Sequence, residues 1–292
     1  MHAKPSASPA DIRRYYNQNT RLFLFLGSST HTQSIHRAVW APGIRSLEAA
    51  LDYTNSLVLE EARQMIKPHQ PERFSLVDLG CGAGGSLAYL LPRLAHSALG
   101  VGLTISPLQA HIARRRLAQL DPPQIALVLE ADFQSAPLPA GFDLVFAIEA
   151  FVHASQPERF LAEASRLLKP GGRLAICDDF LSDEAAKHMS ASQAHWFKAY
   201  QEGWYVPNVR TAEEIVQMAQ PLGLEPVRDV ELTPHLRLRA LPDRLARLLL
   251  WAGERLPLKH AILPSMLGSM ALQQCLQMGL VRYRFLVFHK TG

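Results

Sequence analysis

The residues with most chemistry to offer sit where short apolar runs end. VDLGCGAGGS (77–86) sets a glycine-rich turn between a strand-like run and a helix-like one. Glycine is needed where the backbone takes positive φ, or where a ligand must approach with no Cβ in the way. Gly80, Gly82 and Gly85 satisfy G-x-G-x-x-G, the spacing that serves dinucleotides and a weak signal by itself. An acid, Asp78, stands before the first glycine and makes the pattern D-x-G-x-G-x-G, with Gly80, Gly82 and Gly84. Its carboxylate would repel a pyrophosphate, but it can engage the cationic amino end of a sulfonium amino acid. The next run, GVGLTIS, puts Thr104 where a nicotinamide enzyme would carry its ribose-binding acid. A glycine turn kept only for tight packing is the plainer alternative.

Two later runs also end in ionisable groups. AIEAFVHA (147–154) offers Glu149 and His153, and AICDDF (175–180) offers Asp178 with Asp179. Such groups can take a proton or hold developing positive charge. His153 could equally be a capping histidine satisfied by backbone. Adjacent strand residues face opposite sides, so Asp178–Asp179 is a poor chelating pair, and no metal is expected.

Strand–helix alternation must position these groups. SLVDL, SALGVGL, IALVLE, DLVFAIE and RLAIC read as strands, with helices over 86–94, 107–120 and 156–168 between them. That order predicts a parallel sheet covered on both faces. Two helices are expected before it, over 11–26 and 45–65, and a helical, aromatic segment after it, over 181–223. EPVRDVEL (225–232) and LVRYRFLVF (280–288) read as two further strands, with a long helical stretch between them.

The 292 residues suit one α/β domain with insertions, and a 48% hydrophobic content is too apolar for a disordered chain. No run of 18 uncharged apolar residues exists, so no membrane span is expected. MHAKPSASPADIRR lacks an apolar core for secretion and reads as a flexible tail over 1–10. Three scattered cysteines exclude a disulfide framework and suit a reducing, cytoplasmic compartment. A net charge of +4 without clustering argues against nucleic acid, and the triplet Arg114–Arg116 reads as a solvated helix face.

In order along the chain, VDLGCGAGG, GVGLTISPLQ (100–109), EADFQSAPLPAGFDLVFAIEAFVHA (130–154) and LLKPGGRLAI (167–176) resemble four motifs of class I S-adenosylmethionine-dependent methyltransferases. GVGLTISPLQ resembles the branch that holds sterol C-methyltransferases, tocopherol methyltransferases and cyclopropane-fatty-acid synthases, and YYNQNTRLFLFLG…SIHRAVW (15–40) resembles it more loosely. The resemblance implies a Rossmann-like sheet of seven strands, the seventh antiparallel between the fifth and sixth. It implies an N-terminal helical lid over 11–70, a cofactor-binding core over 71–180, and lid helices with the last two strands over 181–292. A helical insertion over 234–278 would form the acceptor pocket.

The implied cofactor is S-adenosyl-L-methionine. Asp78, Gly80, Gly82 and Gly84 would hold its amino-acid end, Thr104 and Gln109 its ribose, and Asp132 and Phe133 its adenine. AIEAFVHA resembles a segment of sterol C-methyltransferases closely, which marks Glu149, His153 and Asp178 as acceptor-site residues, although Glu149 could instead hold the cofactor. A cyclopropane synthase is disfavoured, because Val152 and Cys177 stand where that branch has a carboxylate and a histidine.

The acceptor expected is a lipophilic small molecule, methylated on carbon as a sterol, terpenoid or prenyl compound. O- or N-methylation of a natural product is the alternative. Segment 235–260 carries Arg237, Arg239, Arg244, Arg247, Arg255 and Lys259 among leucines. It would suit a diphosphate-bearing substrate or an anionic membrane surface, while a solvated amphipathic helix explains it as well. A nicotinamide oxidoreductase and a non-catalytic binder are the rivals from other classes. A bulkier residue at Gly80 or Gly82 is expected to abolish cofactor binding and leave the fold intact.

Overall fold

The computed structural model describes residues 9–27, 36–66, 73–94, 98–121, 125–238, 248, 250–251 and 263–292. The strands are β1 (Ser75–Leu79), β2 (Leu99–Thr104), β3 (Ile125–Glu130), β4 (Phe142–Ile148), β5 (Leu168–Leu181), β6 (Leu224–Glu231) and β7 (Val281–Lys290). They form one sheet in the order β3-β2-β1-β4-β5-β7-β6. β7 runs antiparallel to both β5 and β6. Every residue of β4 is buried, as the unbroken apolar run FDLVFAI requires of a central parallel strand.

Before the sheet come α1 (Pro9–Gly27), α2 (Leu47–Leu51) and α3 (Tyr53–Met65). The single helix expected over 45–65 is two: Asp52 closes α2 and opens α3, so the pattern is helical throughout but the axis is broken. The tail expected over 1–10 lies mostly outside the described residues, and α1 already begins at Pro9. Within the sheet region lie α4 (Gly85–Leu90), α5 (Pro107–Leu117) and α6 (Pro157–Leu167). α5 starts where its sequence directs, with Ser106 accepting from the Gln109 N–H and Pro107 in the first turn. Its Arg114 and Arg115 are exposed, as a solvated face requires.

Each face of the sheet has its own core. Leu76, Leu144 and Phe146 pack against Leu57, Leu87 and Ala113 on one side. Val77, Val145 and Ile176 pack against Phe160, Leu161 and Ile215 on the other. Alternate residues of one strand thus serve opposite layers.

The aromatic segment after β5 becomes α7 (Asp183–Lys187), α8 (Ala191–Trp204) and α9 (Ala212–Ala219), and α10 (Leu263–Gln277) follows β6. Ser190 with Gln193 and Thr211 with Glu214 form capping boxes that start α8 and α9. A third cluster joins Trp196 and Tyr200 of α8 to Ala271, Cys275 and Leu276 of α10. These two helices meet at glycines: a Cβ on Gly203 would lie 2.5 Å from the Gly268 Cα. Most of the basic stretch within 235–260 lies outside the described residues. Arg237 is described, with its guanidinium 3.3 Å from the centre of the Trp40 ring. No helix among the described residues is long and apolar enough to cross a membrane.

Overpacking of a well-filled contact costs about 1–3 kcal/mol. Gly203→Val should therefore lower the free energy of unfolding by about that amount, measured by denaturant titration.

Candidate active site

The carboxyl ends of β1, β2, β4 and β5 open onto one cavity of about 300 Å³. Ligands of open α/β sheets bind at this edge. Asp78, Gly80, Gly82, Thr104, Gln109, Asp132, Phe133, Glu149, His153 and Asp178 all border it, which brings together ten of the eleven site residues expected from sequence. Gly84 does not border it. A Cβ there would sit 3.0 Å from the Ala113 Cβ, so this glycine lets the turn pack on α5.

The glycine turn is folded by its own backbone. The N–H groups of Gly80 and Cys81 both donate to the Leu103 carbonyl, at 3.0 and 2.8 Å. Gly80 and Gly82 take positive φ, and a Cβ on Gly82 would meet nothing within 4 Å. At Gly80 a Cβ would lie 2.4 Å from the Ala150 Cβ. A larger residue at Gly80 therefore displaces the chain after β4, which corrects the expectation that both glycines can be replaced with the fold intact.

Asp78 is buried, and no described residue bonds its carboxyl group. Burial alone pushes it up to about 8. A buried acid without a partner, facing a cavity, suits a cationic ligand group. At the end of β2, Thr104 donates to the Gln109 side-chain carbonyl at 2.8 Å, and the two present one polar edge to the cavity. Asp132 is fixed by the Gln134 N–H at 2.8 Å, and Phe133 stands beside it at the wall.

Glu149 follows β4 with φ at +51°, a conformation that costs a non-glycine residue about 1–2 kcal/mol. Its Oε1 accepts from the Arg37 main-chain N–H at 2.9 Å and from the Tyr283 hydroxyl at 2.8 Å. No described residue bonds Oε2. Arg37 also grips Asp179 with both terminal nitrogens, at 2.5 and 2.6 Å, and Tyr200 donates to the same carboxylate at 2.6 Å. Asp178 accepts from the N–H groups of Val152 and Asp179, at 3.1 and 2.9 Å. Burial, and then the neighbouring Asp179, push Asp178 up to about 8.

His153 Nδ1 lies 3.1 Å from the Tyr205 carbonyl and must donate there. Its Nε2 therefore accepts from the Tyr16 hydroxyl at 2.7 Å. Burial holds this imidazole down at about 4. His153 thus borders the cavity and at the same time is satisfied by a backbone carbonyl. His36 reaches Ser86 at 2.8 Å and stands beside the glycine turn.

Sequence reasoning missed Tyr16, His36, Arg37 and Tyr283 as parts of this site, whereas Tyr200 belongs to the aromatic segment expected over 181–223. Arg37 and Tyr16 lie inside the segment whose resemblance was noted, but a lone arginine or tyrosine has no spacing to single it out. Tyr283 reads only as an inward residue of an alternating strand. Among the described residues, no three His, Cys, Asp or Glu side chains converge where a metal ion could be held.

The sheet order, the glycine turn and the residues gathered around it define a class I S-adenosylmethionine-dependent methyltransferase core. Residues 77–176 match the family described as "Methyltransferase domain". The chain is related to tocopherol and sterol methyltransferases, and its fold is like that of a cyclopropane synthase of Mycobacterium tuberculosis. It is 29% identical to a probable chloroplastic tocopherol O-methyltransferase of Oryza sativa subsp. japonica, over 54% of this chain and 44% of that one. It is 28% identical to 24-methylenesterol C-methyltransferase 2 of the same plant, over 77% of this chain and 58% of that one. The chain thus spans about half the length of these curated relatives. The structure of geranyl diphosphate C-methyltransferase from Streptomyces coelicolor A3(2), in complex with Mg2+, geranyl diphosphate and S-adenosyl-L-homocysteine, covers 99% of this chain and 99% of its own. Its TM-score is 0.66 at 20% identity, a likeness of fold. The cofactor of this core is S-adenosyl-L-methionine, and the orphaned Asp78, the open space at Gly82 and the Thr104–Gln109 edge fit it.

A cation binds the ionised form of Asp78, which the ligand-free protein reaches only as pH rises through about 8. Affinity for S-adenosylhomocysteine should therefore climb between pH 6 and 8 in calorimetric titrations. Asp78→Asn should flatten that climb and weaken binding at least tenfold, about 1.4 kcal/mol.

Proposed function

We propose that this chain transfers a methyl group to a lipophilic small molecule, by C-methylation of a double bond in a sterol, terpenoid or prenyl-type acceptor. S-adenosylmethionine supplies a sulfonium-bound methyl that is electrophilic without further activation. What remains for the protein is to orient the acceptor, exclude water, hold positive charge and remove a proton.

The observation that carries this reading is the company Glu149 keeps. Its carboxyl group borders the same cavity as Asp178 and the aromatic side chains of Tyr16, Tyr200 and Trp204. A double bond that gains a methyl leaves positive charge on its other carbon, and aromatic faces and carboxylates stabilise such charge. The proton then lost needs an acceptor. Oε2 of Glu149 is free of described partners, whereas both Asp178 oxygens already accept main-chain N–H groups. Glu149 is thus the proton acceptor in this reading, and Tyr283 and Arg37 hold it in place. Tyr200, Trp204 and Leu272, from α8 and α10, wall the apolar side and would meet the hydrocarbon. The cysteines are free and buried, which suits work in the reducing cytoplasm.

O- or N-methylation is the second reading, favoured by the Tyr16–His153 pair, which could take a proton from a hydroxyl. It ranks lower because an imidazole held at about 4 is a weak base at neutral pH. Against an ordinary histidine the deficit is roughly 3 kcal/mol.

Incubation with methyl-labelled cofactor and candidate acceptors, with the new methyl located by NMR, separates the two. A methyl on oxygen or nitrogen would discard the carbon reading. Glu149→Gln should cut kcat at least a hundredfold and change S-adenosylhomocysteine affinity less than threefold; equal losses would move Glu149 to the cofactor.

A further inference from the structure

We infer that the acceptor end of this cavity takes a neutral or positively charged group and rejects one that bears a phosphate, diphosphate or carboxylate. The inference rests on the methyl-transfer reading above and narrows its substrate.

The cavity is bordered by five acids, Asp78, Asp132, Glu149, Asp178 and Asp179. Among the described residues one arginine and no lysine borders it, and that arginine is spent. Arg37 gives both terminal nitrogens to Asp179, at 2.5 and 2.6 Å, and its main-chain N–H to Glu149. Its guanidinium also lies 4.6 Å from the centre of the Tyr283 ring. An anionic head group would have to break a buried bidentate pair to reach it, which would leave Asp179 without its counter-ion.

The two histidines offer no substitute. His153 uses both ring nitrogens, on Tyr16 and on the Tyr205 carbonyl, and His36 is engaged with Ser86. Burial lowers both, so neither holds a positive charge at neutral pH. Asp178, fully buried, already keeps its proton up to about 8, in part because Asp179 is next to it. An acceptor at this end therefore meets a protonated Asp178, an Asp179 already paired with Arg37, and Glu149 Oε2, which no described residue bonds. The cofactor's ammonium is matched by Asp78, and S-adenosylhomocysteine, a neutral thioether, brings no sulfonium charge to offset Glu149.

A diphosphate also needs cations or a bridging metal. A likeness of fold at 20% identity to a geranyl diphosphate enzyme does not by itself carry that enzyme's acceptor over to this wall. The basic residues from Arg239 to Lys259 lie outside the described residues, and a tight diphosphate complex is the outcome that would bring them in.

Three ligands with one hydrocarbon tail test this: geraniol, geranyl diphosphate and N,N-dimethylgeranylamine, titrated calorimetrically at pH 7 into protein saturated with S-adenosylhomocysteine. The amine should bind at least tenfold tighter than geraniol, and the diphosphate at least tenfold weaker. Glu149→Gln should bring the amine within threefold of geraniol while S-adenosylhomocysteine affinity changes less than threefold. Diphosphate binding as tight as geraniol overturns the inference, as does an amine preference that survives Glu149→Gln, or failure of all three to bind. Loss of S-adenosylhomocysteine binding itself would sink the methyl-transfer reading instead, so the two failures are told apart.

Discussion

Arg37 gives its guanidinium to Asp179 and its main-chain N–H to Glu149, and so ties down two of the five acids that border one cavity. A carboxylate moved out of water must find a partner or keep its proton. Asp179 has Arg37 and the Tyr200 hydroxyl. Asp178 has two main-chain N–H groups and keeps its proton up to about 8. Asp78 has no described partner and also keeps its proton to about 8, ready for a cationic ligand. With Arg37 removed, Asp179 would be a buried charge without compensation, and the wall that carries Glu149 would lose one of its anchors. The segment that bears Arg37 lies far from β5 in sequence, so this pairing also draws the N-terminal region onto the sheet edge.

Strain marks the same place. Glu149 and Tyr205 are the non-glycine residues with positive φ among the described residues. Each is held there by a contact that the cavity uses. Glu149 donates its N–H to the Cys177 carbonyl and accepts from Arg37 and Tyr283. Tyr205 ends α8 and turns its carbonyl to His153, which selects the tautomer that leaves Nε2 as acceptor. The close approach of Gly203 to Gly268 sets α8 against α10, and with them Tyr200, Trp204 and Leu272 at the apolar side. Polar grip on one wall and glycine packing on the other define what can enter.

Much of the fold was legible because its signals are local. The seven strands read from apolar runs and alternation, and the resemblance supplied their order, including the antiparallel β7 between β5 and β6. The broken helix at Asp52 was not legible, since an acid within a helical pattern looks the same whether the axis bends or continues. Gly84 shows a related limit: three glycines at one spacing look alike, yet one faces α5 and the others border the cavity.

Which groups stand at the strand ends could be read off the chain, because a parallel strand buried on both faces must be apolar along most of its length and turns polar towards the end where it stops. Asp78, Thr104 and Glu149 were readable for that reason, while Asp132 came from the family resemblance. How those groups are charged, and which of them are open to a ligand, follows from contacts that the fold makes across the chain. Arg37, Tyr200 and Tyr283 come from distant parts of the chain, and no local spacing records that they converge. Their approach divides the acids into those already paired and those still open to a ligand, because at a few ångströms in a dry cavity each neighbour sets the protonation of the next.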